Sequence, residues 1–309
     1  MSGPAAAGVV LLALALDLVF GDPPNRWHPV AWIGRALGAG RRRLARGSPS
    51  RLLVSGALLT LVVTALAAGA GWMVTALSGS LGALGLLVEA LALKSMLSAR
   101  GLAEAARAVA RDLDHGDLAA ARASVGRHLV SRPTAGLDES HVASAAIESV
   151  AENLTDAVVA PLLYYVALGL PGVVAYRAVN TADAMIGYRE GVLEHFGKVA
   201  ARLDDLLNLI PARLAAAALV VAAALTGADA RRGFHVMRRD HGRTASPNAG
   251  WTMAAMAGAL GLVLEKPGHY RLGEGRLPAP DDIPQSVRVM AVAALLTAVV
   301  VALVEVMVR

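Results

Sequence analysis

The 309-residue sequence contains no cysteine. Disulfides, zinc–thiolate sites and iron–sulfur clusters are therefore excluded, and the redox compartment stays open. Aromatic side chains are scarce, at 4% of the chain. The apolar mass, 56% of residues, is therefore mostly Ala, Leu and Val, interleaved with 31 Gly. The common catalytic signatures are missing too. There is no G-x-x-x-x-G-K-S/T, no Rossmann glycine fingerprint, no H-E-x-x-H and no G-x-S-x-G, and no convincing internal repeat or low-complexity linker.

What the chain does have is long apolar runs. With a mean hydropathy of +0.54, they predict an all-α, polytopic integral membrane helical bundle. A net charge of +5 fits basic cytoplasmic loops better than nucleic-acid binding. Residues 4–20 are a first span, marginal in length. A signal peptide is disfavoured there, because no basic segment precedes the run, Asp17 interrupts it and no A-x-A site follows. The next loop, with seven Arg against the single Asp22, is expected in the cytoplasm, which places the N-terminus outside. Residues 52–77 and about 81–98 are further spans. The second of these carries Glu89 and Lys94, whose simplest reading is mutual neutralisation. A soluble helical insert follows over about 99–147, broken near His115–Gly116 with Asp117 as a cap. Asp138 or Ser140 caps the next helix. Segments 157–175 and 206–226 are short and interrupted by proline, so they read as broken or re-entrant. The 227–286 loop carries eight Lys/Arg and parity puts it on the cytoplasmic side. A last span covers about 287–308. The whole is one membrane domain, multi-pass in the cell membrane, with its polar loops cytoplasmic.

The chemistry concentrates between Glu148 and Arg213. Glu148, Glu152 and Asp156 stand at i, i+4 and i+8, on one helical face. Like charges at that spacing destabilise a helix by about 0.2–0.5 kcal/mol per pair, so a counter-charge is expected: an arginine or a hard cation such as Mg²⁺, which takes oxygen ligands. A solvated acidic face is the plain alternative, but the helix runs directly into apolar sequence. Asn180 and Asp183 flank small residues, which also suit helix packing. Arg202, Asp204, Asp205, Asn208 and Arg213 enter the next apolar run. Arg202 with Asp205 could be an ordinary surface pair, whereas adjacent aspartates at a membrane segment suit a metal or a cationic group. Asp22 and His28 follow the first span in a Trp-bearing turn and are candidates for acid–base or ligand work. Ser246 and Asn248 precede an apolar helix, as caps or as part of an N-terminus offered to phosphate.

These residues sit in stretches that together resemble one family. D-L-V-F-G-D-P, H-P-V and I-G near the N-terminus, then E-S-V-A-E-N-L-T-D, N-T-A-D-A-M-I-G-Y, A-R-L-D-D-L-L-N-L-I-P-A-R and S-P-N-A-G-W, are similar in order and spacing to the adenosylcobinamide-phosphate synthases of cobalamin biosynthesis, the CobD/CbiB family. The resemblance covers nearly the whole chain. It implies an amide-forming carbon–nitrogen ligase that joins aminopropanol, or aminopropanol phosphate, to the propionate of adenosylcobyric acid, with ATP as co-substrate and Mg²⁺. It carries over Asp22, His28, Glu148, Glu152 and Asp183 as catalytic candidates. Asn153, Asn180, Arg202, Asn208, Arg213, Ser246 and Asn248 become substrate-binding candidates, with Arg202 and Arg213 near phosphate. Glu148, Glu152, Asp156, Asp183, Asp204 and Asp205 become candidates for metal. The expected partners are the corrinoid, the amine and the lipid bilayer, with no nucleic acid. Association with other membrane enzymes of cobalamin assembly, and self-association, are compatible with this reading. A transporter with broken helices, or a membrane sensor or scaffold without activity, is the competing class.

Overall fold

The computed structural model describes residues 2–308. Among them, five helical runs are long and apolar enough to cross a membrane: Gly3–Phe20, Pro49–Gly79, Glu139–Ile186, Leu209–Thr226 and Asp282–Val308. The all-α membrane architecture expected from composition is what the chain forms. A short hairpin is its only strand pair among the described residues. Two compact units divide the chain. One comprises Met1–Ser98, Ala160–Asn208 and Ala298–Arg309, the other Ala99–Val159 and Leu209–Thr297.

In the first unit, α1 (Gly3–Phe20) stops at Gly21, whose φ of 63° lies in the left-handed region that glycine tolerates. Pro29 begins α2 (Pro29–Leu44), and the His28 ring accepts the Val30 N–H as its cap. Helix α3 (Pro49–Gly79) has 31 residues, about 46 Å at 1.5 Å each, enough to cross the hydrocarbon core at a tilt. Its face bearing Leu58, Leu61, Val62, Leu66 and Trp72 is exposed, as a lipid-facing surface should be. The opposite side packs by small residues. A Cβ on Gly56 would collide with the Phe196 carbonyl, and one on Gly71 would lie 3.0 Å from Pro171. Phe196, Ile186, Leu37 and Leu52 meet in the core there.

The expected third span, 81–98, is realised as α4 (Ala83–Lys94), only 12 residues long and about 18 Å, too short to cross. Its Glu89 and Lys94 do not neutralise one another. Glu89 accepts from the Tyr165 hydroxyl at 3.0 Å, and the Lys94 ammonium donates to the Gly21 carbonyl. Further along, α8 (Ala160–Ile186) kinks at Gly169, with φ 66°, two residues before Pro171. The 157–175 segment is therefore part of a longer helical run rather than a separate hairpin. A one-turn helix, α9 (Leu193–Phe196), leads into α10 (Lys198–Leu207).

The second unit begins with the insert as expected. Helices α5 (Ala99–Asp114) and α6 (Leu118–His128) break at Gly116, and the Asp117 carboxylate accepts the Ala120 N–H at 2.8 Å. Asp138 caps α7 (Glu139–Leu154) by accepting the His141 N–H. Every residue of α7 from Val142 to Ala151 is buried, so this is a core helix on all sides. It passes into a π turn at Thr155–Val159. Helix α11 (Leu209–Thr226) is a full 18 residues, where a broken segment was expected. The unit continues with α12 (Ala230–Asp240) and α13 (Ala249–Leu260), which approach closely because Gly258 faces the Arg232 carbonyl. Strands β1 (Val263–Lys266) and β2 (Tyr270–Gly273) form the antiparallel hairpin, with Leu264 opposite Leu272. The final helix, α14 (Asp282–Val308), starts earlier than the 287 expected, because Asp282 is held bidentately by Arg276 at 2.6 Å.

Candidate functional site

In the second unit the centre is Glu148, buried within α7. Its Oε1 accepts from the Ser144 hydroxyl at 2.7 Å, and its Oε2 accepts from the Tyr270 hydroxyl at 2.7 Å. The Arg132 guanidinium lies 3.6 Å away and supplies the expected counter-charge. Ser144 is itself oriented by the Glu265 N–H, which donates to its oxygen at 2.8 Å. Burial, then the charges of Glu148 and Glu152, pushes the Tyr270 hydroxyl above its ordinary value. It therefore stays protonated and donates. Glu152 is exposed one turn on, while Asn153 turns back to donate to the Ser149 carbonyl at 3.0 Å. Asp156 lies inside the π turn. The extra residue per turn there rotates Asp156 away from the face expected at i+8.

The same unit holds Arg213, Ser246 and Asn248. Arg213 Nη1 donates to the Leu209 carbonyl at 2.6 Å and to Asn248 Oδ1 at 3.2 Å, and its guanidinium lies 4.8 Å over the Trp251 ring. Asn248 occupies the N-cap position of α13 without capping it through its side chain. Ser246 accepts the Asn248 N–H at 3.2 Å.

In the first unit, Asp22 Oδ1 lies 3.6 Å from His28 Nε2, and Asp22 Oδ2 accepts from the Ser98 hydroxyl at 2.6 Å. His28 Nδ1 accepts the Val30 N–H, so the neutral ring carries its proton on Nε2, toward Asp22. Burial works to raise the Asp22 carboxyl. Hydrogen bonds from His28 and Ser98, with the charges of His28 and Lys94, outweigh it and hold the group below its ordinary value. A second chain runs from Arg177, which donates to Asn180 at 3.0 Å, to Asn180, which donates to Asp204 at 3.2 Å. Asn208 donates to the other Asp204 oxygen at 3.0 Å and accepts from Tyr176 at 2.9 Å. Tyr164 stacks on Tyr176 with centroids 5.0 Å apart. Asp183 sits one turn before Gly187, whose N–H donates to the Asp183 carbonyl at 2.7 Å. Arg202 and Asp205 line a cavity on α10.

Among the described residues, no three His, Asp or Glu side chains converge on a point that could hold a metal ion. Glu148 and Asp204 spend oxygens on protein donors. Tyr270, Arg132, Ser144, Tyr176 and Tyr164 were not singled out in the sequence. A signal for the hairpin that places Tyr270 was present. Lys266-Pro267-Gly268-His269 is a type II turn sequence, and here Gly268 has φ 75° and the His269 N–H donates to the Lys266 carbonyl at 2.9 Å.

Taken by fold, this is a multi-pass helical membrane protein with buried, hydrogen-bonded carboxylates and arginine-bearing polar chains. The family described as "CobD/Cbib protein" matches residues 10–302. The chain is 41% identical over 280 residues to "Cobalamin biosynthesis protein CobD" of Dehalococcoides mccartyi, covering 90% of this chain and 89% of that one. It is 43% identical over 266 residues to "Probable cobalamin biosynthesis protein CobD" of Methanothermobacter thermautotrophicus, covering 86% of each. With the protein of that first name from Geobacter metallireducens it shares 44% over 262 residues, covering 84% and 81%. No solved structure matches it. The chain belongs to the CobD/CbiB family.

Proposed function

We propose that the chain is an amide-forming ligase of cobalamin biosynthesis, joining aminopropanol or its phosphate to the propionate of adenosylcobyric acid. The observation that carries this reading is Glu148. A carboxylate fully enclosed in a helix long enough to span a membrane is costly, and such groups are functional by default. This one is gripped by a tyrosine, a serine and an arginine from three separate segments. A lipid-exposed or purely structural helix has no use for that arrangement.

A carboxylate is a poor acyl donor because its leaving group is oxide. ATP would supply the phosphoryl group that turns that oxide into phosphate. The amine then attacks the acyl carbon, the C–O bond to phosphate breaks, and the amine loses a proton as the amide forms. The residues assigned here bind and orient. Arg213, braced on Trp251 and Asn248, and Arg202 offer charge to phosphate. Asn180 and Asn208, locked to Asp204, have fixed orientations suited to the amide-bearing corrin. Glu148 and the Asp22–His28 pair are the groups placed to hold the ammonium and accept its proton. The described residues form no preassembled metal centre, which fits magnesium carried on nucleotide phosphates. In that mode it keeps several waters and takes one or two protein carboxylates. Glu152, Asp156, Asp183 and Asp205 are the ones we assign to it.

The test is purified protein in nanodiscs with adenosylcobyric acid, aminopropanol phosphate or free aminopropanol, Mg²⁺ and ATP, with the corrin read by mass. The corrin should gain the amine only when ATP is present. Tight corrin binding without product would move the protein to a carrier or assembly role.

A further inference from the structure

One cavity in the first unit has no role in the account so far. It holds about 240 Å³. One wall is the face of α10 that carries Lys198, Arg202 and Asp205, at i, i+4 and i+7. The other is the chain just beyond α8, with Gly187 and Arg189, and Glu194 adds to the lining. Two glycines set the walls this close. A Cβ on Gly197 would collide with the Ile186 carbonyl, and one on Gly187 would strike the Asp183 side chain.

The charges in this cavity are unusual. Among the described residues, the side chains of Arg189, Lys198 and Arg202 make no ion pair and no hydrogen bond. Three cations brought together without compensation repel one another, and an anion relieves that. The two carboxylates of Glu194 and Asp205 line the same cavity, so it presents both signs. Its volume falls below the roughly 300–1,000 Å³ of pockets that enclose drug-sized ligands, which excludes a whole nucleotide.

We propose that this cavity binds a small zwitterion, a phosphomonoester that also bears an ammonium group. The phosphate lies against Arg189, Lys198 and Arg202, and the ammonium lies against Glu194 and Asp205. This deepens the ligase reading, on which it rests for the identity of the ligand: the amine would enter already phosphorylated. The binding itself does not depend on that reading.

The experiment is calorimetric titration of the full chain in phosphatidylcholine nanodiscs with phosphoethanolamine, inorganic phosphate and ATP. Phosphoethanolamine should bind more tightly than inorganic phosphate. Lys198→Gln and Arg202→Gln should each weaken both by about tenfold. The double variant Glu194→Gln, Asp205→Asn should weaken phosphoethanolamine alone. Unfolding temperatures measured alongside should stay at the wild-type value, because the substituted side chains lie at the surface. Four results overturn the proposal: no binding of phosphoethanolamine, binding untouched by the cation variants, the same affinity for both small ligands in every variant, or displacement by ATP that Arg202→Gln abolishes. Loss of binding when phosphatidylethanolamine is added to the disc would also overturn it, by assigning the site to a lipid headgroup. Binding as described without any amide product would leave this proposal standing and remove the ligase. Product from free aminopropanol without binding would do the reverse.

Discussion

At the scale of single residues, the account turns on how completely Glu148 is satisfied. Tyr270→Phe removes one donor and leaves the ring in place. A hydrogen bond to a charged group contributes about 1.5–3 kcal/mol, so the variant should unfold at a clearly lower temperature in the same lipid. A wild-type melting curve would mean that the tyrosine does not hold the carboxylate. Glu148→Gln keeps the shape and loses the charge. Its product formation should fall by about a hundredfold or more, the scale of losing one preorganised electrostatic group, while corrin binding persists. Asp22 makes a prediction in pH. Its folded value is depressed below the ordinary 3.8, so the stability it contributes is complete above that value. It is lost as pH falls through the lower folded value. Asp22→Asn should flatten the acid limb of the unfolding temperature below about pH 4 and change little at neutral pH. An unchanged acid limb would show that other groups govern it.

Among the elements, the tight contacts are made by glycine. Gly56→Ala drives a methyl into the Phe196 carbonyl, and Gly197→Ala drives one into that of Ile186. Neither obstacle is a flexible side chain, so each should cost about 1–3 kcal/mol, read as a drop in unfolding temperature. Gly69→Ala, which meets open space on the same helix as Gly56, should cost nothing measurable. Caps were the most legible elements, because Asp117 and Asp138 act within three residues of themselves. The π turn at Thr155–Val159 was not legible. A helical wheel assumes a constant period, and that turn breaks it just before Asp156. Helix α4 was misjudged for a related reason. Its run is apolar, but Gly82 and the turn after Lys94 cut it short. The partners of Glu148 were hidden by sequence distance: Arg132 lies 16 positions away and Tyr270 122 positions away. The carboxylates could be picked out locally, whereas the groups that hold them could not.

For the whole molecule, the absence of cysteine makes orientation directly measurable. Single cysteines at Ser50 and Gly242 fall in the Arg-rich loops that the charge rule places in the cytoplasm. In sealed vesicles an impermeant thiol reagent should label both from the cytoplasmic side only, and should label Ser2→Cys from the opposite side. Labelling of Ser50 and Gly242 from opposite faces would refute the joint topology of the spans between them. Composition was enough to read the membrane class, and the family stretches were enough to read the polar positions, since both are properties of the chain itself.

The most direct test of the central claim follows one oxygen. Adenosylcobyric acid labelled with ¹⁸O in its free propionate is converted with ATP and the amine, and both the corrin product and the released phosphate are weighed. If the carboxylate is activated by phosphorylation, one labelled oxygen must leave with phosphate for each amide formed. Product accompanied by unlabelled phosphate, or no product at all, would contradict the account.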